Sequence, residues 1–228
     1  MRIAFRVDAS TEIGTGHVMR CLVLAQVLAK LGCHVVFIVK MHQGHLNDYI
    51  MAQGFSVYGM SVDDDYLGQG YLAWLGSSQQ DDAMQFVDLA LKLALDVVVV
   101  DHYAIDRLWQ RQVSQVLDVK LVIIDDLANR YHDCDVLLDQ NLWPNPQLRY
   151  RQWLCRETMQ LIGPKYALLR ASFQQLRANA PDKQNKVIAF FGGTDPTGEC
   201  LKLLRAAATF IDLPFKLVVV TGVVVHWI

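Results

Sequence analysis

The sequence has no CxxC pair. Its five cysteines, Cys21, Cys33, Cys134, Cys155 and Cys200, lie scattered through 228 residues. An odd, dispersed set with no signal-type apolar region after Met1 points to reduced thiols in the cytoplasm. No ligand-type residues cluster around these cysteines, so neither a metal nor any other cofactor is expected. Basic runs interleaved with aromatics are also missing, and the net charge is only −2, which argues against nucleic acid as a partner. The longest mid-chain apolar run, Leu89 to Val100, is broken by Lys92 and Asp96. It is too short to span a bilayer, so a soluble protein with no membrane partner is expected. Three nucleotide and nucleophile signatures are absent as well. There is no Walker lysine motif, the GxGxxG pattern fails at Met19, and no GxSxG elbow occurs. ATPase, dinucleotide dehydrogenase and acyl hydrolase lose support accordingly.

What the sequence does have is apolar bulk, 53% of residues, arranged in a βα rhythm. Strand-like runs at Ile3–Val7, Val35–Val39, Phe55–Tyr58, Val97–Val100, Leu121–Ile124 and Val136–Leu138 alternate with helical spacing at Val18–Ala29, His45–Gln53, Asp81–Leu95 and Ile105–Leu117. The polar stretch Ser61 to Gln80 reads as a long loop at the sheet edge, and Leu142 to Trp153 as an irregular connection. Continuous apolar strands predict a parallel sheet covered on both faces, in an α/β, Rossmann-like doubly wound domain. A helix-like stretch from Ala167 to Ala178 leads to a polar linker, and a domain boundary is placed near residue 180. Residues 181–228 then read as the start of a second Rossmann-like domain, with strands Lys186–Phe191 and Phe215–Val220 around a helix at Gly198–Phe210. One helix and two strands cannot cover both faces of a sheet, so this unit is expected to be incomplete.

Three strands end in polar clusters: Asp101-His102-Tyr103, the pair Asp125-Asp126, and Asp139-Gln140-Asn141. Ligands of open α/β sheets bind at the carboxyl ends of strands, so these residues should rim one crevice. The first strand is followed by Gly14-Thr15-Gly16-His17-Val18-Met19-Arg20, a glycine-rich turn that opens a helix and aims free N–H groups at an anion. The partial positive charge of a helix start disfavours a second positive charge, which predicts a neutral imidazole for His17, suited to a general base beside a phosphate. A second glycine-rich turn, Gly192-Gly193-Thr194-Asp195-Pro196, follows the strand at Lys186. Two such turns on facing α/β units suit a nucleotide-sugar enzyme.

In sequence order stand Arg6-Val-Asp8, Gly14-Thr-Gly16-His17-Val-Met-Arg20-Cys21, Asp101-His-Tyr103, Asp125-Asp126, Asp139-Gln-Asn141, Gly163-Pro-Lys-Tyr166-Ala-Leu-Leu-Arg170 and Phe191-Gly-Gly193-Thr-Asp195-Pro196. Through this series the chain, from residue 1 to about residue 220, resembles the UDP-2,4-diacetamido-2,4,6-trideoxy-β-L-altropyranose hydrolases of pseudaminic acid biosynthesis. The resemblance implies a glycosyltransferase-B-type pair of domains and a UDP-linked diacetamido sugar as substrate. Water would attack the anomeric carbon, UDP would leave and the configuration would invert, with His17 orienting or deprotonating the water. It further implies neighbouring enzymes of the same pathway as partners, in the setting of flagellin glycosylation, and no cofactor. In relatives of this architecture uridine is held by the distal part of the second domain, expected beyond residue 228. A UDP-sugar-dependent glycosyltransferase and an inactive truncated remnant are the alternative readings.

On this reading Gly14 and Gly16 allow close approach to phosphate. Asp8 bonds the sugar or fixes the His17 tautomer, and Arg20 contacts phosphate or pairs with Asp8. His102 and Tyr103 meet the acetamido groups, while Asp126 and Asn141 contact the sugar. One of the adjacent carboxylates Asp125 and Asp126 must be structural or paired with Arg170 or Arg130, because both would repel a diphosphate. Gly192, Gly193 and Thr194 hold the diphosphate from the second domain, and Tyr166 and Arg170 contribute from the connecting region. Each has a plainer alternative as a turn, cap or packing residue.

Overall fold

The computed structural model describes residues 1–178, 182–193, 195, 197–210 and 212–222. Its elements run β1 (Arg2–Val7), α1 (Gly16–Lys30), β2 (His34–Lys40), α2 (Asn47–Ala52), β3 (Ser56–Met60), α3 (Gln79–Ala90), β4 (Val97–Asp101), α4 (Arg107–Val116), β5 (Lys120–Ile124), β6 (Val136–Asp139), α5 (Pro146–Arg149), β7 (Met159–Ile162), α6 (Ala171–Ala178), β8 (Lys186–Phe190), α7 (Glu199–Ala207) and β9 (Lys216–Val220). Short 3-10 turns occupy Gly70–Leu75 and Pro164–Tyr166.

Seven strands form one sheet in the order β3-β2-β1-β4-β5-β6-β7, every pairing parallel. The strand order reverses between β1 and β4, the switch point at which doubly wound sheets open a crevice. Alternation along the strands sorts the core into two layers. Ile3, Phe5 and Val7 of β1 face α1 and α2, together with Val18, Cys21, Leu22 and Ala25. Ala4 faces α3 and α4, together with Phe86, Trp109 and Val113.

This arrangement is the Rossmann-like parallel sheet expected from the sequence, with three local differences. β7 has no counterpart in the apolar pattern, because it is a four-residue edge strand whose Met159 is 63% exposed. α3 ends at Ala90 rather than Leu95: the chain turns through Ala94 at φ 47° so that Asp96 can bond the β1 end and feed β4. The stretch 61–80 is not a plain edge loop, since it holds the 3-10 turn Gly70–Leu75 and the first residues of α3.

β8 and β9 pair in parallel as a separate two-stranded sheet. Ile188 and Phe190 are 69% and 58% exposed, so apolar side chains of this unit are uncovered. The boundary expected near residue 180 falls on 179–181, outside the described residues.

Candidate active site

The turn after β1 is built by its own side chains. Ser10 Oγ accepts the N–H groups of Glu12 and Ile13, and the Gly14 N–H returns to the Ser10 carbonyl at 2.9 Å. Gly14 sits at φ +77°, a conformation that strains any residue with a Cβ. α1 then starts with Thr15 at the N-cap, no side-chain cap and no acidic residue in its first turn. The first helical bond runs from Met19 N to Thr15 O, so helix geometry leaves the amides of Gly16, His17 and Val18 without intrahelical partners. A Cβ on Gly16 would meet nothing within 4 Å, which leaves this end of the helix open to a ligand. These donors and the helix dipole make an anion site.

His17, on the first turn of α1, places Nδ1 at 2.7 Å from Asp101 Oδ1. A carboxylate only accepts, so Nδ1 carries the hydrogen and, in the neutral ring, Nε2 is left as the free acceptor. Asp101 is fully buried at the end of β4 and also receives Arg20 Nε at 2.5 Å and Nη2 at 2.6 Å. Burial pushes the Asp101 carboxyl upward, but the neighbouring His17 and Arg20 outweigh it and hold it down at about 2. Arg20 reaches on to Asp126 Oδ2 at 3.0 Å, and the Tyr103 hydroxyl donates to Asp126 Oδ1 at 2.7 Å. Burial and this hydrogen bond push the Tyr103 phenol upward, keeping it protonated. The Tyr103 ring meets the His17 ring edge-on, with centroids 4.6 Å apart.

His17, Arg20, Tyr103 and Asp126 therefore form one connected cluster with the Gly14–Gly16 turn. Asp8 and His102 do not join it, which corrects two expectations. In a parallel pair, register partners share a face. Val7 is in register with Asp101, and Val7 lies in the α1 layer, so Asp101 turns toward His17 and Arg20. Asp8 and His102 are one residue further on and turn to the other face. There Asp8 bonds Arg6 at 2.6 Å and the Lys40 N–H at 2.7 Å, with His102 Nε2 at 3.4 Å. Asp101, not Asp8, fixes the His17 tautomer, and Arg20 pairs with Asp101 and Asp126 instead of Asp8.

Around Asp8 lies a buried ion network. The fully buried Arg6 donates to Asp82 at 3.0 and 2.6 Å, Trp109 Nε1 donates to the same carboxylate at 2.8 Å, and Lys40 Nζ bonds the Ser61 carbonyl and Ser77 Oγ. This network braces the sheet from below and offers no exposed group to a ligand.

The remaining expected residues are dispersed. Asp125 is buried against Arg130 at 2.7 Å and accepts the Tyr150 hydroxyl, so it is the structural member of the Asp125–Asp126 pair. Asn141 is exposed beyond β6, its N–H bonded to Asp139 Oδ1. Tyr166 is half-buried against the α1 layer, and Arg170 is exposed just before α6. In the second unit Gly192 has φ +88°, and a Cβ on Gly193 would meet Thr15 Oγ1 at 3.0 Å, which sets the second glycine turn against the first. The α7 amides of Glu199 and Cys200 are already capped by Asp195 at 2.8 and 2.9 Å. Thr194 lies outside the described residues.

Three residues of the cluster were assigned no role from the sequence. Asp101 was visible as the first polar residue after a valine run, but its facing depends on the β1–β4 register. Tyr71 and Trp74 sit in the 3-10 turn within the segment read as a loop, and their rings pack against Tyr103, with Trp74 also edge-on to His17.

Among the described residues no helix is long and apolar enough to cross a membrane, and no group of three or more His, Cys, Asp or Glu residues is arranged to hold a metal. No protein-family model matches the chain. It is 27% identical over 195 residues to the UDP-2,4-diacetamido-2,4,6-trideoxy-beta-L-altropyranose hydrolase of Campylobacter jejuni, a match covering 86% of this chain and 61% of that protein. It is also 27% identical over 233 residues to an uncharacterized protein of Methanocaldococcus jannaschii, covering 97% of this chain and 43% of that one. The chain thus spans between two fifths and two thirds of the length of these relatives. Among solved structures, the spinosyn rhamnosyltransferase SpnG superimposes with a TM-score of 0.61 at 17% identity, covering 97% of this chain and 65% of that one. The Acinetobacter baumannii MurG does so with a TM-score of 0.51 at 14% identity, covering 99% and 68%. The chain is similar in sequence to a UDP-diacetamido-sugar hydrolase over most of its length and shares the Rossmann-like fold of two glycosyltransferases.

Proposed function

We propose that this protein hydrolyses a UDP-linked diacetamido-trideoxy sugar, releasing UDP and the free sugar with inversion, as a step of pseudaminic acid biosynthesis in the cytoplasm. The observation that carries this reading is the His17–Asp101 pair at an uncapped helix start. Asp101 holds Nδ1, so Nε2 is the atom available to take a proton from water. The water oxygen forms its bond to the anomeric carbon, its proton passes to Nε2, and the carbon–oxygen bond to UDP breaks with its electron pair going to the diphosphate. The free amides at the start of α1 receive that charge. Residues 1–180 supply the catalytic and sugar-binding domain on this reading, and residues 181–228 begin the nucleotide-binding one, where Gly192, Gly193 and Thr194 approach the diphosphate.

Similarity to the Campylobacter hydrolase over 86% of the chain supports the substrate class. Both solved neighbours are glycosyltransferases, which favours transfer to an acceptor other than water as the second reading. The test is a proton-NMR time course of the UDP-linked sugar with the 228-residue chain, following the anomeric signal, with His17→Ala beside it. UDP and free sugar of inverted configuration appearing in wild type and not in the variant is the expected result. Release unchanged in His17→Ala would overturn the assigned base, and no release from the folded wild type would overturn hydrolysis by this chain.

A further inference from the structure

The 3-10 turn Gly70–Leu75 lies against the proposed catalytic histidine with no part in the mechanism above. Its two rings are set as a wall: Tyr71 meets Trp74 at 4.7 Å and Tyr103 at 5.0 Å between centroids, while Trp74 lies near-parallel to Tyr103 at 6.0 Å and 27°. Trp74 is 6.5 Å from the His17 ring, edge-on. With this wall in place the His17 side chain is only 11% exposed, although the amides beside it are open.

The turn is held there by structure, not by chance collapse of a loop. Leu75 is fully buried, and Gly76 adopts φ +61° where a Cβ would strike Val62 Cγ1 at 2.8 Å and His42 Cε1 at 2.9 Å. The Asp63 N–H bonds the Gly76 carbonyl at 2.8 Å, and Ser77 Oγ accepts Lys40 Nζ from the buried ion network. Thus one side of the His17 site is polar, formed by Arg20, Asp101 and Asp126, and the other is aromatic. Tyr71 is 41% exposed, so part of its ring faces solvent at the edge of this aromatic wall.

We infer that Trp74, supported by Tyr71, is a specificity-determining residue that stacks on the apolar face of the sugar ring, selecting a sugar that carries methyl groups, such as a deoxy or acetamido sugar, over a fully hydroxylated hexose. The inference rests on the nucleotide-sugar reading of the same site and adds the group that recognises the sugar half. Aromatic rings gain from apolar C–H surface and gain nothing comparable from hydroxyls that must be desolvated.

The experiment measures binding in a His17→Ala background, so that turnover plays no part. Calorimetric titration compares the UDP-linked diacetamido sugar, UDP-glucose and UDP alone, with Trp74, Trp74→Phe and Trp74→Ala. Loss of one stacked aromatic contact should weaken the diacetamido sugar nucleotide about tenfold in Trp74→Ala, leave UDP unchanged, and recover most of the loss in Trp74→Phe. The preference over UDP-glucose should shrink in parallel. Equal weakening of UDP and the sugar nucleotide, no weakening of either, or no measurable binding of the sugar nucleotide would each overturn the inference. UDP release by the His17-containing protein is read separately. A positive binding pattern without release therefore leaves the aromatic subsite standing and removes only hydrolysis.

Discussion

Acid sensitivity at His102 follows directly from the geometry and separates cleanly from other titrations. His102 is 3% exposed; its Nδ1 accepts the Ala104 N–H at 3.1 Å, which puts the ring hydrogen on Nε2, facing Asp8 Oδ2 at 3.4 Å. Asp8, Arg6, Asp82 and His17 are charged or titratable groups around its ring, and Arg130 donates to its carbonyl at 3.4 Å. Burial dominates, and although Asp8 opposes it, the imidazole falls from 6.5 to about 4. A histidine lowered on folding takes up its proton only in the unfolded chain across this window, so stability is full above pH 6.5 and declines as pH falls toward 4. Between pH 7.5 and 5 the loss from this one group is about 2 kcal/mol at ~1.4 kcal/mol per unit. That corresponds to roughly 1 M in urea midpoint for a slope near 2 kcal/mol/M. Asp8 and Asp101 are held at about 2, so the stability they contribute is full above the ordinary carboxylate range and is lost only as pH falls below it, outside the window. His42, lowered by burial and 3.9 Å from the same Asp8 oxygen, adds to the wild-type slope but remains in the variant. The assay is urea unfolding at pH 7.5 and 5 for wild type and His102→Asn, whose amide oxygen can still accept the Ala104 N–H. The variant should lose about 2 kcal/mol less than wild type between the two pH values, whatever its stability at pH 7.5. An identical pH dependence in the two proteins would refute the claim that a neutral, buried His102 is part of the fold.

Two further perturbations test the site and its support. Asp101→Asn removes the negative charge and turns one of the two accepting oxygens that orient His17 and hold Arg20 into an amide donor, so kcat for UDP release should fall on the order of 10²–10⁴-fold with KM little changed; an effect confined to KM would show that Asp101 acts in binding instead. Trp109→Phe deletes the 2.8 Å bond to Asp82 under the sheet, and urea unfolding should show a loss of about 1–3 kcal/mol with UDP release retained; undiminished stability would mean that Arg6 alone satisfies this carboxylate.

Which parts of the molecule were legible in the sequence depends on whether the signal was local. Valine runs and helical spacing are local, and they placed six of the seven strands of the main sheet; β7 escaped because an edge strand of four residues needs no apolar run. His17 was legible for the same reason, since a glycine turn that opens a helix is written in consecutive residues. Its partner was not. Asp8 and Asp101 both end strands beside that turn, and only the register Val7↔Asp101 decides which carboxylate shares the His17 face. A shift of one residue exchanges the two assignments. The aromatic wall was hidden differently: Tyr71 and Trp74 sit in a polar stretch whose composition says loop, and their placement is set by Gly76, Val62 and His42, which meet only in the folded chain.

The same pleat that separates the carboxylates also divides the charges in a way that suits the proposed chemistry. Below the sheet, Arg6 and Lys40 face Asp8 and Asp82, two cations against two anions with fully buried side chains, a balanced set whose role is to hold β1, β2 and α3 together. On the α1 side, Arg20 alone faces both Asp101 and Asp126. That set is one positive charge short. A proton arriving on His17 as water attacks would complete it, so the fixed carboxylates favour the charge distribution of the transition state over that of the ground state. A balanced cluster in the same place would stabilise both states alike and leave His17 with no reason to take the proton. On the proposed reading the diphosphate would meet the open amides of α1 and not these carboxylates, which would keep the two negative groups from opposing substrate binding.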